Sequence, residues 1–409
     1  MDNQQAAFEK LSKLKVGALF MEMGTGKTKV ALDLISSRLH KVDYVLWICP
    51  CSLKNEIEAE RQKWHSEIQL DIVGCESIGS SDRIYLEVLE KVKNHKSFVV
   101  VDESLKIKNR WAKRTKRILE FGKFAEYKLI LNGTPVSKNI LDLWTQMEFL
   151  SPKILNMWFT EFKDTYCEYY EKGRLKGKVR KECNIPHLIS KIEPYIFEAS
   201  LDIDTKKQYH SYLYSTDITE YQKYKDIIFD EYYNKDKDDL NFNAFAMKLQ
   251  KFYTQNSNRQ ELIDDIVSDD EQYVVFVRFL DSIPKNAKRI TGDISQSERK
   301  EVLEQFKQGA FKVLYITYGC GAFGLNLQFC HNIIFAEQVW DYAAVEQAEA
   351  RIYRMGQSQE VHYYNLYCDY IGLEDLIHNC IDRKSNLLYE IKSEIQRTKG
   401  GIKEWVKSI

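Results

Sequence analysis

The sequence predicts an α/β protein with two parallel-sheet lobes, a helical insertion between them and a C-terminal helix. Residues 1–150 and 271–370 each alternate short β-rich runs with helical patterns, which is typical of parallel sheets. The segments 151–270 and 371–409 have a mostly helical period instead. A chain of 409 residues is too long for one core and suits this division into domains.

The two lobes contain candidate strands of similar character. In the first lobe they are Val16–Met21, Tyr44–Cys49, Phe98–Asp102 and Lys128–Asn132. In the second lobe they are Tyr273–Val277, Lys312–Thr317, Ile333–Ala336 and Val361–Tyr367. Most are continuous apolar runs, as expected for strands buried on both faces of a sheet. Ser295 and Glu298 have the spacing of a capping box, which predicts a helix running toward Gly309.

The composition excludes several classes of protein. Lys and Arg number 59 against 60 Asp and Glu, so any polyanion site must come from local clusters of basic residues. No apolar run approaches the roughly 18–20 residues of a membrane span, and the polar N-terminus is unlike a secretory signal. Nine cysteines without a CxxC pair argue against a zinc site or a disulfide framework. We therefore expect a monomeric cytoplasmic protein with no membrane contact.

A strand, a glycine-containing loop and a helix follow one another near the N-terminus. Such a loop places backbone N–H groups and the positive helix end around a phosphate. Lys27 is expected to bind the β- and γ-phosphates of ATP, and the Thr28 hydroxyl to bind Mg²⁺. The remaining residues of the predicted phosphate cradle are Met23, Gly24, Thr25 and Gly26. The alternative is a turn that contains this pattern by chance.

Paired carboxylates follow the third candidate strand. At the C-terminal end of a parallel strand, Asp102 is expected to hold Mg²⁺ and Glu103 to orient the attacking water. A strand that simply ends in solvated acids is the alternative. The position of the pair, after the phosphate loop along the chain, favours the catalytic interpretation.

Further segments resemble the motifs of the Swi/Snf-type branch of the superfamily-two helicases. They are Trp47–Leu53, Asp102–Asn109, Asn132–Pro135 with Asn139 and Leu141–Trp144, Tyr318–Leu327 and Gln347–Gln357. The motifs occur in the order of the family and span nearly the whole chain, with only 151–270 weakly matched. The compact form is similar to stand-alone phage or bacterial members, and a phage-encoded chain is expected in the bacterial host cytoplasm.

The resemblance implies RecA-like lobes and a catalytic contribution from the second lobe. Gln347, Arg351 and Arg354 are spaced i, i+4 and i+7, so on a helix they share one face. By resemblance, this face points across the interlobe cleft at ATP, with Arg354 as the first arginine finger and Arg351 as the second. A solvated basic stripe is the alternative to this role.

The resemblance also implies binding residues for adenine and for nucleic acid. Gln4 stands where the family has the glutamine that contacts adenine, and Gln5 is a rival for this role. The residues placed near nucleic acid are Ser52, Lys54, Ser77, Thr134, Tyr318 and Asn326. Most contacts are expected to reach phosphates, which predicts weak sequence preference and strong salt sensitivity. The basic run from Lys106 to Arg117 is either a further phosphate-binding face or an ordinary solvated face.

Three residues depart from the family pattern. Met21 stands where the strict phosphate-loop pattern has glycine, a variant common in helicase-like ATPases. Leu105 replaces a histidine that, in the family, links the γ-phosphate sensor to the third motif. Gly319 replaces an arginine of the fifth motif. These departures leave the primary catalytic groups in place.

The sequence thus predicts a DNA-stimulated ATPase that translocates on DNA by ATP-driven lobe closure, with duplex or branched DNA favoured. ATP and Mg²⁺ are the expected cofactors. A strand-separating DNA or RNA helicase is the second hypothesis, and a nucleic-acid clamp that does not hydrolyse ATP is the third. Because no nuclease module is recognised, the expected partner is a separate nuclease or a replication or recombination protein.

Overall fold

The computed structural model describes residues 3–133, 135–136, 139–170, 179–201, 203–234, 239–321, 325, 327–340, 342–354 and 356–382. The chain divides into two compact units, Met1–Ile203 and Asp204–Ile409. Each unit has its own parallel sheet and its own buried apolar core. Within the described residues, no helix combines the length and the apolar character that crossing a membrane requires.

The first unit is built on a six-stranded parallel sheet. Its strands are β1 (Val16–Met21), β2 (Tyr44–Cys49), β3 (Asp71–Gly74), β4 (Ser97–Val101), β5 (Tyr127–Asn132) and β8 (Ile196–Ala199). The spatial order is β3-β2-β4-β5-β1-β8. A separate antiparallel pair is formed by β6 (Cys167–Tyr169) and β7 (Val179–Glu182). Because the main sheet is parallel, the loops that follow β1, β4 and β5 emerge at one edge.

Helices cover the sheet of the first unit. They are α1 (Asn3–Leu11), α2 (Lys27–Ser36), α3 (Lys54–Trp64), α4 (Cys75–Ser80), α5 (Asp82–Asn94), α6 (Lys113–Phe124), α7 (Asp142–Leu150), α8 (Pro152–Leu155), α9 (Phe159–Tyr166) and α10 (Ile185–Ile192). Short 3₁₀ helices are found at Cys51–Leu53, Ser104–Ile107 and Glu193–Tyr195. Strand β4 is buried at every position, as its unbroken apolar sequence requires.

The second unit has a six-stranded parallel sheet as well. Its strands are β9 (Lys207–Tyr214), β12 (Tyr273–Val277), β13 (Arg289–Ile290), β14 (Val313–Thr317), β15 (Asn332–Phe335) and β16 (Val361–Cys368). The spatial order is β13-β14-β12-β15-β16-β9. A two-stranded antiparallel pair is formed by β10 (Tyr233–Asn234) and β11 (Asp239–Leu240).

The helices of the second unit include the one predicted from a capping box. They are α11 (Ile218–Tyr232), α12 (Phe242–Thr254), α13 (Ser257–Ile266), α14 (Gln296–Lys307), α15 (Tyr318–Gly321), α16 (Tyr342–Glu349) and α17 (Gly372–Asp382), with a 3₁₀ helix at Leu280–Ser282. Both hydrogen bonds of the capping box between Ser295 and Glu298 are present, so this prediction is confirmed. Gly309 follows α14 with φ of 76°.

The predicted fold class, α/β with two parallel-sheet lobes and helices, is confirmed by the two six-stranded parallel sheets. Every candidate strand is present to within one residue at each end. The segment 151–270, which the sequence sets apart as a helical insertion, is divided between the units at Ile203. It also contributes β8 and β9, which extend the two sheets. Of the tail 371–409, the structure describes α17, and residues 383–409 lie outside the described part.

Candidate active site

The phosphate loop connects β1 to α2 and depends on two glycines with left-handed backbone. Gly24 has φ of 81°, and Gly26, the N-cap of α2, has φ of 88°. Only glycine adopts these angles without strain. The buried Thr25 closes the turn, because its hydroxyl donates to the Glu22 carbonyl at 2.7 Å. The first N–H groups of α2 lie next to this loop, and they have no acceptor within the helix itself.

The Lys27 side chain is held at the loop by main-chain carbonyls. Its ammonium donates to the carbonyl oxygens of Met21 at 2.6 Å and of Glu22 at 3.1 Å. A Cβ atom built on Gly133, after β5, would stand 3.9 Å from Lys27 Nζ. The loops after β1 and β5 thus meet at this lysine.

Gln4 lies against the phosphate loop and Gln5 does not. The amide of Gln4 donates to the Thr25 carbonyl at 3.2 Å. A Cβ atom at Gly26 would stand only 2.2 Å from Gln4 Nε2, so the close approach of Gln4 also requires glycine there. Gln5 instead donates to Glu9 at 2.8 Å on the exposed side of α1. Of the two rivals for the adenine contact, the structure brings Gln4 to the loop.

The carboxylate pair follows β4 at the same edge of the sheet. Asp102 is only 8% exposed, its N–H donates to the Ile48 carbonyl at 2.7 Å, and its side chain accepts from the Glu103 N–H at 2.9 Å. Burial raises the pKa of the Asp102 carboxyl to about 7; the neighbouring Glu103 carboxylate adds to the rise and the Lys27 ammonium opposes it. Glu103 has φ of 50°, a strained angle for a residue with a side chain.

These residues fit a nucleotide with a divalent cation. Asp102 is a nearly buried carboxylate, and a bound cation would offset the cost of burying its charge. Thr28, half-buried in the first turn of α2, adds a hydroxyl oxygen of the kind that magnesium accepts.

The sequence did not reveal two anchors, one of the phosphate loop and one of the neighbouring helix α1. The Glu22 N–H donates to the Ala199 carbonyl, at the C-terminal end of β8, at 2.8 Å. The Glu22 carboxylate in turn accepts the Leu201 N–H at 2.8 Å. Arg38 is 6% exposed and donates to the carbonyls of Leu11, Ser12 and Leu14 at the end of α1. Neither anchor carries a local motif, since each joins positions far apart in the chain.

The predicted helical face of Gln347, Arg351 and Arg354 is wrong in one respect. Helix α16 ends at Glu349, so only Gln347 lies on it. Beyond Glu349 the chain continues in turns: the Arg351 N–H donates to the Ala348 carbonyl at 3.1 Å, and the Glu349 carbonyl accepts both the Tyr353 N–H at 3.2 Å and the Tyr363 hydroxyl at 3.1 Å.

The two arginines after α16 differ in their surroundings. The Arg351 side chain is only 4% exposed, and the Arg351 carbonyl accepts the Leu327 N–H at 3.2 Å. Arg354 is half-buried, and among the described residues its side chain makes no hydrogen bond, ion pair or ring contact. Arg354 is thus the arginine that the fold of its unit leaves uncommitted within the described chain.

Of the predicted nucleic-acid residues in the first unit, the structure groups three near the ends of β2 and β3. Ser52 is exposed in the 3₁₀ helix after β2, and Lys54 begins α3. Ser77 lies in α4, and its hydroxyl is 3.5 Å from Cys51 Sγ. Thr134 and Asn326, predicted for the same role, lie outside the described residues.

Tyr318 does not have the exposure that a side-chain contact to nucleic acid needs. It is 6% exposed, and its hydroxyl donates to the Glu337 carbonyl at 2.9 Å within the second unit. Its apolar ring packs against Phe276 and Phe335, which explains its burial. The predicted contact through this side chain is therefore corrected.

Much of the basic run after the carboxylates is used inside the first unit. Arg117 donates to the carbonyls of Ile78 and Ser81, and Arg114 donates to the Lys106 carbonyl at 2.9 Å. Lys113 pairs with Asp82 at 2.9 Å. These contacts connect α6 to the neighbouring turns, so the run is only in part a surface for a partner.

Comparison with known protein families gives two matches. The SNF2-related domain matches residues 76–262, and the helicase conserved C-terminal domain matches residues 256–356. The chain thus contains an SNF2-related domain followed by a helicase conserved C-terminal domain. These matches confirm the predicted relationship of this chain to the SWI/SNF-type helicases of superfamily two.

Similar proteins come from distant organisms. The SNF2-related chain is 23% identical to the DNA annealing helicase and endonuclease ZRANB3 of Bos taurus, over 94% of this chain and 40% of that protein. It is 22% identical to SWI/SNF-related matrix-associated actin-dependent regulator of chromatin subfamily A-like protein 1 of Drosophila melanogaster, over 90% and 53%. An uncharacterized ATP-dependent helicase of Mycoplasma pneumoniae is 24% identical, over 86% and 38%.

The SNF2-related chain thus spans 38–53% of the length of these curated relatives. Among solved structures, the Sulfolobus solfataricus SWI2/SNF2 ATPase core in complex with dsDNA covers 93% of this chain and 90% of its own, with a TM-score of 0.42 and 22% identity.

Proposed function

We propose that the protein is a DNA-stimulated ATPase that translocates on duplex DNA by ATP-driven approach of its two units. One observation carries the proposal: the loops after β1, β4 and β5 bring a lysine, a buried carboxylate and a strained glutamate to one edge of the first sheet. The Lys27 ammonium acts on the pKa of Asp102 and lies beside the loop at Gly133. Such a grouping suits phosphoryl transfer, in which catalysis is mainly positioning and charge stabilisation.

Each residue of the first unit has a distinct proposed role. The N–H groups at the start of α2 and the Lys27 ammonium bind the phosphates of ATP. Asp102 and Thr28 hold Mg²⁺, which, when bound, neutralises charge on the phosphate oxygens. Glu103 orients the water and accepts its proton, and Gln4 binds the adenine next to Thr25. The strained φ of Glu103 supports this role, because such strain is common at functional sites.

In the second unit, we propose that Arg354 stabilises the charge that develops on the transferred phosphoryl group. Its side chain is uncommitted among the described residues, whereas the Arg351 side chain is buried and already makes a contact. We therefore assign Arg351 and Gln347 to supporting roles around Arg354. Because hydrolysis would then need groups from both units, the cycle of ATP binding and hydrolysis would drive their relative movement.

DNA is the proposed polymer, and double-stranded DNA the preferred form. The names of similar proteins support DNA, since they include a DNA annealing helicase and chromodomain-helicase-DNA-binding protein 1. Ser52, Lys54 and Ser77 are proposed to contact backbone phosphates together with Thr134 and Asn326. Phosphate contacts carry no sequence information and weaken with salt. We propose a monomer that acts with a separate nuclease or a replication or recombination protein.

Steady-state ATP turnover measured with and without polynucleotides tests the proposal. Duplex DNA should raise turnover more than single-stranded DNA or RNA does. This stimulation should become weaker as the salt concentration rises. Lys27→Ala should abolish turnover. Lys29→Ala, two residues along the same helix, removes an ion pair with Asp33 and a contact with the Trp64 ring, and should retain turnover.

The outcomes also separate the rival functions. Absence of stimulation by every polynucleotide would exclude the proposed activity. Stimulation accompanied by strand separation in a displacement assay would favour the strand-separating helicase. If the unaltered chain bound DNA without hydrolysing ATP, and Lys27→Ala bound DNA equally well, the clamp that does not hydrolyse ATP would be favoured.

A further inference from the structure

A buried glutamine connects the carboxylate segment to the loop after β5. Gln146 in α7 and Ser104, the residue after Glu103, are both fully buried. The Ser104 hydroxyl donates to Gln146 Oε1 at 2.6 Å. Both residues belong to the first unit, and the chain that separates them contains β5 and the loop that follows it.

The hydrogen bonds of the Gln146 amide fix its orientation. Its Nε2 donates to the Pro135 carbonyl at 2.7 Å and to the Asp142 carbonyl at 2.8 Å. Two carbonyls need donors and the Ser104 hydroxyl needs an acceptor, so only one placement of the amide oxygen and nitrogen satisfies all three groups. Asn132, at the end of β5, adds a weaker bond from Nδ2 to Ser104 Oγ at 3.4 Å.

This arrangement links two loops that both lie at the phosphate site. At one end, Ser104 is bonded covalently to Glu103, the proposed water-orienting residue. At the other end, Pro135 belongs to the loop of Gly133, beside Lys27. Leu105, the next residue of the carboxylate segment, has no polar side-chain atom with which to make such a link. The buried Gln146 would be costly without these bonds, so their completeness makes the link rigid.

We propose that Gln146 is a positioning residue that couples the loop after β5 to Glu103, so that DNA contact at that loop sets the orientation of the water-activating carboxylate. The inference rests on the proposed DNA-stimulated activity and names a residue that transmits the stimulation. Gln146 acts through Ser104 and touches neither ATP nor the attacking water. Coupling through a buried polar contact of this kind is worth roughly 0.5–2 kcal/mol.

The test compares Gln146→Met with Thr145→Val in the full chain. Methionine keeps the length of the side chain and removes all three hydrogen bonds. Thr145 is also buried in α7, but its hydroxyl has no hydrogen-bond partner in the described part of the chain, so Thr145→Val is a matched loss of a polar group outside the link. We expect Gln146→Met to lower the ratio of DNA-stimulated to basal kcat about 2- to 30-fold, with the KM for ATP within about twofold. Thr145→Val should leave the ratio unchanged.

A double-mutant cycle identifies the path. Ser104→Ala removes one hydroxyl and is the milder change, so it remains informative if Gln146→Met folds poorly. The stimulation ratio of the Ser104→Ala, Gln146→Met double variant should equal that of Gln146→Met alone, because both changes break one link. Additive losses in the stimulation ratio would show that the two residues act separately and would overturn the inference.

Two further results are decisive. If Gln146→Met lowers basal and stimulated kcat by the same factor, the residue serves only stability, and the inference fails while the proposed function stands. If the unaltered chain shows no stimulation by DNA, the proposed function fails, and the inference fails with it.

Discussion

Gly26 combines a backbone requirement with a steric one. Its φ of 88° strains any residue that has a Cβ atom, and that atom would stand 2.2 Å from Gln4 Nε2. Gly26 therefore gives the phosphate loop its backbone conformation and also leaves room for the Gln4 amide. The sequence predicts the glycine from its motif, whereas the contact with Gln4 is visible only in three dimensions.

Gly26→Ala should cost about 1–3 kcal/mol of stability and weaken nucleotide binding. The reason is the left-handed backbone together with the clash against Gln4. Urea unfolding and titration with a fluorescent ATP analogue measure the two effects. Gly309→Ala is the matched control, because Gly309 has φ of 76° with nothing within 4 Å of a built Cβ atom. Equal stability losses and unchanged nucleotide affinity in both variants would contradict the prediction.

Glu374 is a buried carboxyl whose protonation should affect stability. Burial raises its pKa from the ordinary 4.5 to about 7, although the Tyr253 hydroxyl, which donates to it at 2.5 Å, opposes the rise. The folded chain thus holds this proton more tightly than the unfolded chain. The stabilising contribution is complete below about pH 4.5 and is lost as the pH rises through about 7.

Glu374→Gln should therefore remove part of the fall in stability between pH 4.5 and 7. Urea unfolding of both proteins at several pH values gives the difference directly, because the other titrating groups are common to both. A stability difference that stays constant over this pH range would show that the Glu374 carboxyl has its ordinary pKa in the folded chain.

At the scale of elements, the capping box of α14 is specified by neighbouring residues and stabilises only the start of this helix. Ser295→Ala removes the hydroxyl that accepts the Glu298 N–H, and should lower the free energy of unfolding by about 1 kcal/mol. Lys300→Ala, on the exposed side of the same helix, should change it by less than about 0.5 kcal/mol. Chemical unfolding of both variants checks this, and similar losses would mean that the cap is not a major stabilising contact.

The elements that sequence patterns predicted share one property. Strands β1, β4 and β12 are continuous apolar runs, and the phosphate loop has a fixed pattern of glycines, so each is specified by neighbouring residues. Strand β9 has no such pattern: seven of its eight positions are exposed or half-buried, and it is held by parallel pairing with β16, far along the chain. Its place in the sheet is decided by a partner that its own sequence does not reveal.

The position at which α16 ends is also influenced by a residue far along the chain. The spacing of Gln347 and the two arginines fits a helix, but α16 ends at Glu349, whose carbonyl accepts the Tyr363 hydroxyl of β16 as well as the Tyr353 N–H. Periodicity thus predicted the residues of the candidate site and not the shape of their backbone. Similarly, the link through Gln146 joins residues whose types gave no signal in the sequence.

For the whole molecule, the proposed catalytic groups belong to two compact units. Lys27, Asp102 and Glu103 are in the first unit, and Arg354 is in the second. If both sets act on one nucleotide, neither unit hydrolyses ATP by itself. ATP binding and ATP hydrolysis should then depend on different residues.

Arg354→Ala should lower kcat by about 10³-fold or more and leave ATP affinity nearly unchanged, because the guanidinium is proposed to stabilise charge that develops only during phosphoryl transfer. Turnover and equilibrium binding of a fluorescent nucleotide separate the two quantities. Arg289→Ala is the control, since Arg289 is partly exposed and pairs only with Asp293 four residues along the chain. Turnover within tenfold of the unaltered chain would exclude Arg354 from the reaction, and equal losses of affinity and turnover would make it a binding residue.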